Sequence, residues 1–171
     1  MKRLGRVLLI SSAAVLPHLA AASPDPEPSL EPLGALSWRL DWTGAAGWTW
    51  FIQWSEDLVT WHYFPVIEHG TEFDFFEFST NADRFFLRLE FTDIPTTDPE
   101  VADFDGDGLS NLFEVVNGLD PFSADTDGDL VADGDEDEDL DGSVNTSEAV
   151  SGRDPKVKDH PAVKLGVVVG N

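Results

Sequence analysis

Residues 103–114 read DFDGDGLSNLFE. Asp103, Asp105 and Asp107 stand at alternate positions, Gly108 follows, and Glu114 closes the stretch. A calcium ion takes about six to eight oxygen ligands in flexible geometry. Side chains at loop positions 1, 3 and 5 converge on such an ion when the backbone turns sharply, and glycine at position 6 permits that turn. Position 7 supplies a backbone carbonyl, here that of Leu109; position 9 often acts through water; position 12 is a bidentate carboxylate, here Glu114. Magnesium demands a tighter octahedral shell and keeps its waters. Zinc would need sulfur or imidazole ligands, which the stretch lacks.

The pattern recurs 34 residues later, from 103 to 137. Asp137, Asp139, Asp141 and Gly142 fall on Asp103, Asp105, Asp107 and Gly108; Asn145 falls on Asn111 and Glu148 on Glu114. Ser143 takes the place of Leu109. Beyond the loops, Gly152, Asp154, Pro155 and Asp159 fall on Gly118, Asp120, Pro121 and Asp125. Acidic composition alone does not align glycines, asparagines and prolines. A middle copy, DTDGDLVADGDE, places Asp125, Asp127 and Asp129 at positions 1, 3 and 5, Asp133 at 9 and Glu136 at 12. Leu130 stands at its position 6, where a positive φ is costly for a side chain.

The stretch DFDGDGLSNLFEVVNGLDPFSADTDGD resembles the thrombospondin type 3-like calcium repeats of secreted bacterial proteins. The resemblance covers about residues 98–159. It implies calcium ligation by Asp103, Asp105, Asp107 and Glu114, by Asp125, Asp127, Asp129 and Glu136, and by Asp137, Asp139, Asp141 and Glu148. It also implies short arms wrapped around ions with little apolar core.

The elements that must hold these loops are few. No helix enters the first loop, since TTDPEVA precedes it. SNLFEVVNG can form about two turns, with Ser110 as N-cap and Gly118 as the stop. A calcium sensor needs two helices whose angle can change. One short helix per loop points to stapling instead of sensing. Residues 101–159 hold eighteen acidic and three basic side chains. Without metal, such a segment repels itself and offers little apolar surface against chain entropy.

The preceding segment, 33–94, is different in kind. Sixteen of the nineteen aromatics lie between Trp38 and Phe91. In LSWRLDW, WTWFIQW and RFFLRLEF, apolar residues alternate with polar ones, the period of a half-buried strand. Two less regular runs, 60–67 and 71–78, bring the total to about five strands. Gly44–Gly47 reads as a hairpin turn. FDFFEF switches face between Phe75 and Phe76, the mark of a bulge or corner. The expected fold is mainly β: a small antiparallel β-sandwich or barrel, followed by a loop-rich calcium-repeat segment with short helices. Trp38, Trp42, Trp48, Trp50 and Trp54 fall on the core side, whereas Phe51 and Phe86 face the other way, toward a binding surface or a second sheet. IQWSEDLVTWHYFP and RFFLRLEF also resemble small β-modules of large secreted environmental bacterial proteins, a likeness that implies no activity.

At the N-terminus, Lys2, Arg3 and Arg6, the apolar run Val7–Leu16 and Ala20–Ala22 follow the grammar of a secretory signal peptide spanning 1–22. That run is too short for an ordinary transmembrane helix, so no transmembrane segment is expected after cleavage. Residues 23–32 contain four prolines and read as an extended linker. Residues 160–171 form a tail ending in the apolar run Val167–Val169. With no cysteine in the chain, disulfides cannot staple an exported domain, and a metal can.

A net charge of −23 argues against nucleic-acid partners, whose phosphates need a basic face. Catalysis finds little support: there is no cysteine nucleophile and no G-x-S-x-G. A glycosidase pair among Glu68, Glu72, Asp74 and Glu77 would sit in a domain with little cleft. The expectation is therefore a secreted or cell-surface, non-enzymatic protein with calcium as its cofactor. Its partner would be a cell-surface or matrix protein, or a glycan. Carbohydrate binding through exposed aromatics and dockerin-like docking are the rival readings.

Overall fold

A computed structural model describes residues 4–11, 28–70 and 73–159. The leader's cleavage site, the prolines at 24 and 26, Glu72 and the tail from residue 160 lie outside the described residues. Seven strands precede two helices: β1 (Leu4–Ser11), β2 (Ser29–Pro32), β3 (Ser37–Thr43), β4 (Thr49–Ser55), β5 (His62–His69), β6 (Phe73–Ser79), β7 (Phe85–Thr92), α1 (Asn111–Asn117) and α2 (Asn145–Ser151). They form a small β-sandwich of two antiparallel sheets, ordered β1-β7-β4-β5 and β2-β3-β6.

The alternation read from the sequence builds the space between the sheets. Leu40 and Trp42 of β3 and Phe78 of β6 meet Trp50 and Ile52 of β4 and Phe85, Leu87, Leu89 and Phe91 of β7. Trp38, Trp48 and Trp54 pack around this core, half-buried. Each such side chain taken from water is worth about 1.5–3 kcal/mol, which lets so small a sandwich close without disulfides. Leu36, expected on the same face, precedes β3 and is exposed.

Several local expectations are corrected. Gly44–Gly47 does not close a hairpin, because β3 and β4 belong to different sheets; the turn carries the chain from one layer to the other. β6 pairs with β3 in unbroken register from Thr43↔Phe73 to Ser37↔Ser79. Its apparent change of face arises because Phe73 and Phe75 simply point outward, with the Arg39 guanidinium 4.1 Å from the Phe75 ring. The bulge lies instead in β4, between Phe51 and Gln53 opposite β5.

The last four residues of the expected linker form β2, an edge strand where Pro32 loses no inner hydrogen bond. Leu4–Ser11, set aside above as part of a leader, pairs with β7 along its whole length. An apolar run rich in Val, Leu and Ile suits a sheet edge as well as it suits a leader.

Phe51 is neither a free binding surface nor part of a second sheet. It is buried with Ile67 and Val115, and Tyr63, Phe104, Leu112 and Phe122 pack against that cluster. The acidic segment thus has an apolar seam with the outer face of the four-stranded sheet, and α1 lies against β5. Phe86 is also buried, in a residue pair with Ile10 across the β1–β7 ladder.

Candidate metal centre

The three loops share one hydrogen-bond scheme. The position-1 carboxylate accepts the position-6 N–H: Gly108 to Asp103 at 3.1 Å, Leu130 to Asp125 at 3.0 Å, Gly142 to Asp137 at 2.9 Å. The position-5 carboxylate accepts the position-7 N–H, from Leu109, Val131 and Ser143, at 2.8 Å in each loop. The position-9 N–H donates to the carbonyl just before the loop, in the pairs Asn111–Ala102, Asp133–Ala124 and Asn145–Glu136. Positions 4 and 6 both have positive φ: Gly106 and Gly108, Gly128 and Leu130, Leu140 and Gly142. Leu130 therefore takes up the strained geometry rather than reshaping the loop, and its side chain is exposed. The demand at position 4, met by Leu140, went unread in the sequence.

Each loop brings its aspartates together. Asp103–Asp105–Asp107, Asp125–Asp127–Asp129 and Asp137–Asp139–Asp141 each present oxygens within 4.8 Å of one another. Glu114 joins Asp107 and Asp133 in a further triad, and Glu148 joins Asp141 and Asp159 in another. Asp107 and Asp141 thus each face two triads. Both glutamates are fully buried, and neither carboxylate has a hydrogen-bond partner. They reach these places because α1 and α2 start at position 9, which sets Glu114 and Glu148 in the first helical turn. Ser110 caps α1 by accepting the Phe113 N–H, and Gly118 and Gly152 end the two helices in the left-handed region.

The middle loop departs from this plan. A single 3-10 turn, Asp133–Asp135, replaces the helix. Glu136 falls in none of these close groups of three, whereas Glu114 and Glu148 each share one with the position-5 aspartate of their own loop; no helix carries Glu136 inward. Asp133 also leaves its own loop's triad. One of its oxygens accepts the Thr126 N–H at 2.8 Å and the other the Thr126 hydroxyl at 2.7 Å, while it joins Asp107 and Glu114. The Gly134 N–H donates to Asp107 at 2.9 Å, binding the second loop to the first.

Position 9 of the outer loops serves as a brace. Asn111 accepts the Phe104 N–H at 3.1 Å and donates to the Pro99 carbonyl at 2.8 Å; Asn145 donates to the Asp133 carbonyl at 2.7 Å. Burial of an amide with such partners is a structural use of the residue. Among the described residues, Asp159, visible in the sequence only as an aligned aspartate, is the one triad member beyond the three loops.

Electrostatics set these groups against their own charges. Burial, then Asp105, Asp107 and other neighbours, push the Glu114 carboxyl up to about 9. Burial first, and then Asp107, raises Asp105 to about 6. Glu136 rises to about 7 through burial and then Asp133, Asp127 and Asp129, so its carboxyl still faces the middle loop. Glu148 and Asp139 are raised as well, in both cases by burial first. Asp141 is lowered, chiefly by the N–H groups of Ser143 and Asp159. Residues 101–152 contain no lysine or arginine; just beyond them Arg153 Nη1 lies 2.7 Å from Asp159 Oδ2 and offsets part of the charge of the Asp141–Glu148–Asp159 triad. A divalent cation would reverse these shifts by being the largest local charge. Carboxylate-only triads offer the hard oxygen ligands with which a divalent cation could be held.

Of the carboxylates considered for a glycosidase pair, Glu68 is raised by burial and by Asp74. Asp74 and Glu77 lie on opposite faces of β6. No family model, curated protein or solved structure matches the chain.

Proposed function

We propose that residues 98–159 bind calcium and that the ions hold this acidic segment in its folded form beside the β-sandwich. The carrying observation is the pair Glu114 and Glu148: each is fully buried, each lacks a hydrogen-bond donor, and each lies within ligand distance of two aspartates. A buried carboxylate without a partner is costly unless it is neutralised or coordinated. The outer loops, whose glutamates share a close group with their own position-5 aspartate, are the stronger sites; the middle loop is weaker. Metal binding is then part of the folding free energy of the segment. In keeping with the N-terminal leader grammar, the protein acts outside the cell as a calcium-stabilised structural or adhesive element; cleavage of the leader would remove β1 and leave β7 as the edge of its sheet. Chelation followed by circular dichroism tests this: loss of the two helices' signal on chelation and its return with calcium are expected, and an unchanged spectrum would contradict it.

A second reading is favoured by one observation. Phe73 and Phe75 are exposed side by side on the outer face of β6, beside Arg39 and Asp41. Aromatic faces of this kind can stack on sugar rings, so the sandwich would be a glycan-binding module. Glycan-array binding that disappears in the Phe75→Ala variant would support it, and an empty array would remove it.

A further inference from the structure

We infer that the first calcium loop is a clasp: its loading determines whether the acidic segment covers the outer face of the four-stranded sheet. The inference rests on the calcium reading above and adds to it a coupling between the ion and an aromatic seam. Phe104 stands between the ligands Asp103 and Asp105, so the loop that wraps the ion also aims this ring. The ring stacks on Phe122 at 5.8 Å and meets Phe51 edge-on at 6.2 Å, while Phe122 meets Phe51 at 5.1 Å. Val115, buried in the same cluster, directly follows the ligand Glu114 on α1. Two of the segment's four seam residues, Phe104 and Val115, are therefore each one residue from an ion ligand. A loop that opens for want of metal cannot keep Phe104 and Val115 in place, and packed seams of this kind switch between two states instead of deforming smoothly.

The seam has its own polar marker. The Tyr63 hydroxyl lies 2.9 Å from Glu90 Oε2 and 3.2 Å from Asp120 Oδ1, joining the sandwich to the segment that follows α1. Tyr63 is the only tyrosine in the chain, so its chemistry reports on this contact alone. Undocking would expose Phe51, Tyr63 and Ile67 together, turning a covered face into an apolar surface under low calcium.

The test is nitration of Tyr63 by tetranitromethane in the full chain, followed by mass spectrometry, with calorimetry on the same sample. Nitration several-fold slower in calcium than in chelator is expected. Phe104→Ala should nitrate quickly even in calcium. Calcium heat with equal Tyr63 reactivity in calcium and chelator would overturn the clasp while leaving the binding sites standing. Absence of calcium heat would overturn both the clasp and the reading it rests on.

Discussion

The sandwich and the acidic segment solve the same problem by opposite means. The sandwich removes Trp50, Leu89 and their neighbours from water between its own two sheets. The segment places Glu114 and Glu148 in its interior and surrounds them with more carboxylates. One interior is neutral and self-sufficient; the other is a charge deficit shaped for a cation. Within the segment the contrast repeats on a smaller scale. The outer loops carry a glutamate inward on a helix to meet their position-5 aspartate, while the middle loop has a single turn, a strained Leu130 and a glutamate in no such group.

Chelation should break the comparison most visibly. Hydrogen exchange should rise throughout residues 98–159 and stay slow in β3, β4 and β7, because only one of the two interiors depends on the ion. Loss of protection in both regions at once would mean that the sandwich depends on the metal too. Conversely, Leu89→Ala should cost the sandwich about 2–5 kcal/mol in a denaturant melt by opening a cavity at a fully buried site. Calcium heat should be retained in that variant.

The inner contrast predicts an asymmetry between two matched substitutions. Glu114→Gln should weaken calcium binding by roughly a hundredfold, the scale over which ligand charge tunes such loops. Glu136→Gln should change the titration little. Equal effects would show that the middle loop is as complete as its neighbours.

A pH series sharpens the electrostatic side. In the ion-free fold the Glu114 carboxyl is raised from its ordinary 4.5 to about 9. The folded state then binds this proton more tightly than the unfolded chain does. Stability of the ion-free form should therefore fall as pH rises across that window. The smallest effect belongs to Leu130→Gly: removal of a left-handed leucine should stabilise the calcium-loaded chain by about 1 kcal/mol in thermal melts.

Much of this was legible in the sequence where the signal was local. Ser110 and Gly118 bracket α1 because a cap and a left-handed stop are properties of single residues. The alternation in WTWFIQW placed Trp50 and Ile52 in the core because strand period needs no knowledge of the partner. The cover over Phe51 was not legible, since periodicity names a face without saying what lies on it. Nor were the triads through Asp133 and Asp159, which depend on how successive loops fold back on one another. Position 9 misled for a related reason: an asparagine that can hold water can equally hold the backbone, and here it holds Pro99 and Phe104.

Calcium titration calorimetry on the full chain tests the central claim most directly. The account predicts saturable heat with at least two ions per chain, one for each buried glutamate, and loss of one of them in Glu114→Gln. A chain that gives no calcium heat would contradict it.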